Sequence, residues 1–162
     1  MKTDRFLIII VCAIGLLVIA ALSLFFIQKR NQEYGSQDTP QGVVRNYVLA
    51  LETRDYERAY SLLSEAKGKP DFDRFRQDFL TRRVDPSRAA ILIQKDWPSG
   101  EDSLVDLVVV YASSGLFEDS YRQYEQALLV HNAAGEWKLA QMPYPYWGYD
   151  WYQADAQKKP SP

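Results

Sequence analysis

One cysteine, Cys12, and one histidine, His131, are all that the 162 residues hold of the two side chains most used to ligate metals. With no second cysteine after Cys12, an internal disulfide and a cysteine metal site are both excluded, and the usual mark of an oxidising compartment is missing without contradicting one. A glycine-rich phosphate loop, a nucleophile elbow and a paired His-Glu-His metal motif are absent too, so no cofactor or metal is expected. Basic surplus is also lacking. The chain carries 19 Lys and Arg against 21 Asp and Glu. Setting aside Lys2, Arg5, Lys29, Arg30 and Asp4, residues 31–162 hold 15 basic against 20 acidic side chains, a net of −5 that argues against a nucleic-acid partner. Five arginines between Arg74 and Arg88 are interleaved with Asp78 and Asp85 and preceded by Asp71 and Asp73, the pattern of a solvated, salt-bridged helix face.

What the chain does have is an uneven distribution of apolar residues. Phe6 to Ile27 is a run of 22 residues without a charge. As a helix it spans about 33 Å, enough for a hydrocarbon core of about 30 Å, and it predicts a transmembrane helix with the lipid bilayer as partner. The competing reading is a cleavable signal peptide, for which Lys2 and Arg5 would form the basic start and Ala21-Leu22-Ser23 the cleavage site. The run exceeds the roughly 7–15 residues of a signal core, which favours an anchor. Cys12 follows Val11 rather than a small residue, and so reads as a small hydrophobe within the span rather than a lipoprotein site. Lys2 and Arg5 on one side nearly balance Lys29 and Arg30 on the other. The α-amino group and the short tail at 1–5 tip the balance toward a cytoplasmic amino end, a single-pass cell-membrane protein and an extracytoplasmic domain.

Residues 28–38 are polar and without periodicity, and predict a linker with a flexible reach of roughly 18 Å. One α+β domain is expected over 39–152, followed by a disordered tail at 153–162. Thr39-Pro40 marks a helix start, with Val43, Val44, Tyr47, Val48 and Leu51 as its apolar stripe. Asp55 caps a second helix with Ala59, Leu62 and Leu63 inward, ended by Lys67-Gly68-Lys69-Pro70. A third carries Phe72, Phe75 and Phe79, with Arg82 and Arg83 at its carboxyl end. The period then shortens to two. Strands are predicted over 89–97, 104–111, 121–131 and 136–142, joined by turns at 98–102 and 132–135. Val105, Leu107, Val109 and Tyr111 share one face and Asp106 the other. Consecutive strands after three helices predict a four-stranded antiparallel meander with the helices on one face.

Two stretches, PQGVVRNYVLALETRDYERAYSLLS from Pro40 and GEWKLAQM from Gly135, resemble the opening helices and last strand of the nuclear transport factor 2-like superfamily. That resemblance implies a cystatin-like cone, a curved antiparallel sheet wrapped around helices. Its members include enzymes, carriers and membrane-anchored scaffold domains, so function must be argued from the site.

The implied pocket lies between the first helix and the sheet, where Tyr47, Tyr111, Tyr124 and Trp137 would converge on a small apolar ligand, unless these rings only fill the core. An isomerase or dehydratase would need a carboxylate or His131 there; Asp106 falls on the opposite strand face and His131 at a strand end, and no catalytic residue is assigned. PYPYWGYDWY, from Pro143, holds six aromatics, Tyr144, Tyr146, Trp147, Tyr149, Trp151 and Tyr152. It is either an exposed platform or a segment folded back over the open end of the cone. Leu128 and Val130 as well as Ala127 and Leu129 are apolar, so the third strand is expected to be covered on both faces, as in a homodimer through the sheet. The expected function is a noncatalytic module binding a small apolar ligand or a partner protein. The alternatives are an enzyme of the same fold or a scaffold subunit of a cell-envelope complex.

Overall fold

The computed structural model describes residues 5–30, 33–112 and 120–153, with side chains in the first helix described at 10–21 and 23. The chain divides into two compact units, Met1–Glu33 and Tyr34–Pro162.

The first unit contains helix α1, Arg5–Arg30. Among the described residues no helix is long and apolar enough to cross a membrane. This corrects the expectation of a transmembrane helix over 6–27. The bilayer partner, the single-pass topology and the cell-membrane location with an extracytoplasmic domain lose their support with it. Residues 1–4, 31, 32 and 154–162, expected as tails and linker, lie outside the described residues.

The second unit is α+β. Thr39 caps α2, Pro40–Glu52, accepting a hydrogen bond from the Gly42 N–H at 3.1 Å, and Pro40 occupies a first-turn position where its missing N–H costs nothing. Val43, Val44, Tyr47, Ala50 and Leu51 form its buried stripe. Asp55 caps α3, Tyr56–Ser61, and Asp71 caps α4, Phe72–Leu80. Helix α3 stops well before Lys67 because the backbone beyond it is recruited by the sheet. Leu139 donates to the Leu62 carbonyl at 2.8 Å and Ser64 donates to the Leu139 carbonyl at 2.7 Å. Arg82 and Arg83 also lie outside their helix: Arg82 turns left-handed at φ 59°, and Arg83 reaches back to Asp78.

Four strands follow a 3-10 turn at Pro86–Arg88: β1 Ala89–Ser99, β2 Asp102–Tyr111, β3 Tyr121–His131 and β4 Trp137–Gln141. They form an antiparallel sheet in the order β1-β2-β3-β4. Gly100 at φ 66° and Gly135 at φ 78° make the two described hairpin turns, where a side chain would be strained. Val105, Leu107, Val109, Ala127, Leu129 and Leu139 form the inner face. Helix α2 packs on β1, β2 and β4, α3 on α2, and α4 on α3.

Part of the expected linker is fixed to this unit. Gly35 donates to Asn46 Oδ1 and accepts from Asn46 Nδ2, both at 2.8 Å, and Asn46 is fully buried. Tyr34 donates to Asp55 at 3.1 Å while the Arg58 guanidinium lies 3.7 Å from its ring centroid. The random-coil reach of a flexible linker therefore does not describe the chain from Tyr34 onward.

Candidate functional site

The structure does not bring the four pocket residues together. Tyr47 is fully buried under α2 and donates to the Tyr146 carbonyl at 2.8 Å; burial holds its hydroxyl well above the usual phenol range. Tyr111 is half-buried at the end of β2 and donates to the Tyr144 carbonyl at 3.1 Å. Tyr124 points away from the helices and is 81% exposed. Trp137 lies at the other end of the sheet, its ring centroid 3.6 Å from that of His131. Strand alternation explains the dispersal. Tyr124 sits opposite Val108, which points outward because its neighbours Leu107 and Val109 are core residues.

Part of the aromatic segment fills the space instead. Tyr146, Trp147 and Trp151 are buried, whereas Tyr144 and Tyr149 are exposed and Tyr152 is half-buried. Trp147 lies near Tyr47, Trp151 and Tyr152, and Trp151 continues the ring stack to Phe75 and Phe79. The segment is bolted at several points. The Trp151 indole donates to Asp78 at 2.8 Å, Arg83 bridges Asp78 and Asp150, and Arg74 also pairs with Asp150. Tyr146 donates to the Ala89 carbonyl at 2.9 Å and Tyr152 to the Ser64 carbonyl at 2.7 Å. Burial pushes the Tyr152 hydroxyl up to about 12 and raises Tyr146 as well.

Among the described residues a sheet face and a cleft at one end of it are open. The larger is the outer face of the sheet. Leu92, Val108 and Tyr124 form one cross-strand row on it, in which Val108 is covered by its neighbours to 4% exposure, and Trp97, Leu104 and Leu128 form another. Leu92 is 49% and Trp97 46% exposed. Asp106, between the rows, accepts from the Trp97 indole at 2.6 Å and from Gln126 at 2.8 Å. These hydrogen bonds, that of Gln126 first, lower its carboxyl below the usual range. An antiparallel sheet with one solvated face ordinarily alternates apolar inward with polar outward, so an outer face this apolar is a departure.

The smaller is a cleft of about 560 Å³ at the sheet end that holds both described hairpin turns, beside the first residue of α2. His131 lines it and its Nδ1 lies 3.1 Å from the Glu101 carbonyl; Asp106 does not line it. The two acid-base candidates of the sequence thus face different surfaces. Among the described residues no group of three or more His, Cys, Asp or Glu side chains is arranged to hold a metal ion.

No family model matches the chain, and no curated protein matches it. Among solved structures it is similar to the solution structure of a SEC-C motif-containing protein from Rhodopseudomonas palustris. The identity is 14% and the TM-score 0.47, over 66% of this chain and 79% of that one. With no family model and no curated protein matching, the resemblance to the nuclear transport factor 2-like superfamily and its cystatin-like cone is corrected: it goes without support. The residues that carried it were a capped amphipathic helix pair and a Gly-x-Trp strand, local patterns that many helix-on-sheet domains need for their own packing. The α+β class with four antiparallel strands stands independently on the backbone.

Sequence reasoning found the third strand apolar on both faces but missed the cross-strand rows to which Leu128 and Tyr124 belong. Leu92 and Trp97 lie on either side of a register shift between Ile93 and Asp96, which breaks the simple alternation needed to assign both to one face.

Proposed function

We propose that the Tyr34–Pro162 unit is a noncatalytic binding module that pairs with a second copy of the chain through the outer face of its sheet. The observation that carries this reading is the pair of apolar rows, Leu92-Val108-Tyr124 and Trp97-Leu104-Leu128, turned away from the helices. A small apolar ligand is the weaker half of the original expectation, because Tyr47, Tyr146 and Trp147 occupy the space between α2 and the sheet.

A second copy suits this face for two reasons. The Asp106 carboxylate between the rows, though charged, already accepts from Trp97 and Gln126, and the apolar rows on either side of it are complementary to themselves across a two-fold axis. Size agrees. Three strands of 10 or 11 residues and one of five give a face of roughly 600 Å² in plan before side-chain relief is added. That approaches the roughly 800 Å² per partner of a standard interface.

The test is the mass of the full-length chain by sedimentation equilibrium. A dimer of the 18.7 kDa chain is expected, reduced to monomer by Leu92→Glu with Tyr124→Glu. A monomer at every concentration, or a dimer that survives both substitutions, overturns the proposal.

A further inference from the structure

The cleft at the hairpin end of the sheet is mostly apolar within and acidic at its rim. Pro40, Pro98 and Trp137 supply apolar walls, Asp96, Glu101 and Asp102 the carboxylates, and no Lys or Arg lines it. Asp96 accepts from Gln41 at 3.0 Å. The carboxylates of Glu101 and Asp102 have no hydrogen-bond or ion-pair partner among the described residues. Elsewhere in this unit many acidic groups are engaged: Asp55, Asp71 and Asp85 cap helices, Asp78 and Asp150 pair with arginines, and Glu136 pairs with Lys138. The positive end of α2 is worth only about half a charge, so against three carboxylates it leaves the cleft net negative.

From this complementarity we propose that the cleft docks a lysine- or arginine-bearing segment of a partner protein. The aliphatic stem of the basic side chain lies along Trp137 and Pro98, and its charged head meets Glu101 and Asp102. Long cationic side chains are built for such a site, with an apolar stem and a charged tip. An indole wall adds attraction for the cation. The site is separate from the outer sheet face, and dimerisation neither requires nor precludes it.

The experiment titrates an acetylated, amidated pentapeptide with two lysines among alanines into isotope-labelled full-length chain. The readout is the Trp137 indole resonance, assigned by Trp137→Phe. Saturable shifts at Trp137 are expected, with binding weakened about tenfold by Glu101→Gln with Asp102→Asn and weakened by salt in the wild type. The paired substitutions conserve shape at surface positions; should they still unfold the chain, the salt dependence and the peptide controls decide. No shift at Trp137, an equal response to the glutamate counterpart or to spermidine, or binding indifferent to charge removal and to salt overturns the proposal.

Discussion

The Trp151 indole N–H points at Asp78, 73 residues earlier in the chain, and donates to its carboxylate at 2.8 Å. The same carboxylate receives two bonds from Arg83, at 2.8 and 3.0 Å, so one acidic side chain on α4 holds both the end of its helix and the returning aromatic segment. Trp151→Phe keeps an aromatic ring against Phe75 and Phe79 and removes only the donor, and is expected to cost about 1–2 kcal/mol. Trp151→Ala also removes the ring and should cost about 3–5 kcal/mol. Urea unfolding midpoints measure both, and equal losses for the two variants would mean that the hydrogen bond, not the packing, holds the segment.

Tyr47 and Tyr146 make the corresponding bolt in the interior, 99 residues apart in sequence. Tyr47→Phe leaves the Tyr146 carbonyl without that donor in a fully buried setting, which predicts a loss of about 1–3 kcal/mol. Chemical denaturation of the single variant is the check, and a neutral result would show that water reaches this carbonyl.

Three tyrosines of this interior give the fold an alkaline limit. Burial raises Tyr47, Tyr146 and Tyr152 above the ordinary phenol value of 10.0, Tyr152 to about 12. Between 10 and 12 the folded chain retains phenol protons that the unfolded chain releases, so stability must fall as pH rises through that window. Below pH 10 their contribution is fully present. The urea midpoint should be level from pH 8 to about 9.5 and then drop, with a shallower drop in Tyr152→Phe. A midpoint unchanged to pH 12 would contradict the burial of these hydroxyls.

Much of the second unit was legible because its signals are local. Thr39 and Asp55 each sit one residue before a helix and bond its first turn, and side-chain alternation placed Val105, Leu107 and Val109 on one face, the inner one. What was not legible depended on distant partners. The recruitment of Leu62 and Ser64 by Leu139 ends α3 early, and no pattern within 55–70 signals it. Tyr47, Tyr111, Tyr124 and Trp137 are aromatics of the right kind for a shared pocket, yet their faces and strand ends separate them. The aromatic density of 143–152 was visible, but which rings turn inward follows from Asp78, Ala89 and Ser64, which lie far upstream.

Gly42 provides a test in which the usual rule reverses. Glycine within a helix ordinarily costs roughly 0.8–1 kcal/mol relative to alanine, so Gly42→Ala in α2 should stabilise on propensity alone. A Cβ at this position, however, would overlap the Ser36 carbonyl oxygen and lie 2.9 Å from Thr39 Oγ1, the oxygen that caps the helix. Backbone cannot yield as a long side chain can, so the substitution must displace either the Ser36 strand of chain or the cap. Gly148→Ala meets the Trp151 indole in the same way, against a ring held by Asp78. Both variants are expected to lose about 1–3 kcal/mol, the cost of overpacking. They separate in the fluorescence of Trp151, which moves with Gly148→Ala and not with Gly42→Ala. A thermal melt that rises for Gly42→Ala would show that the chain at Ser36 swings clear of α2.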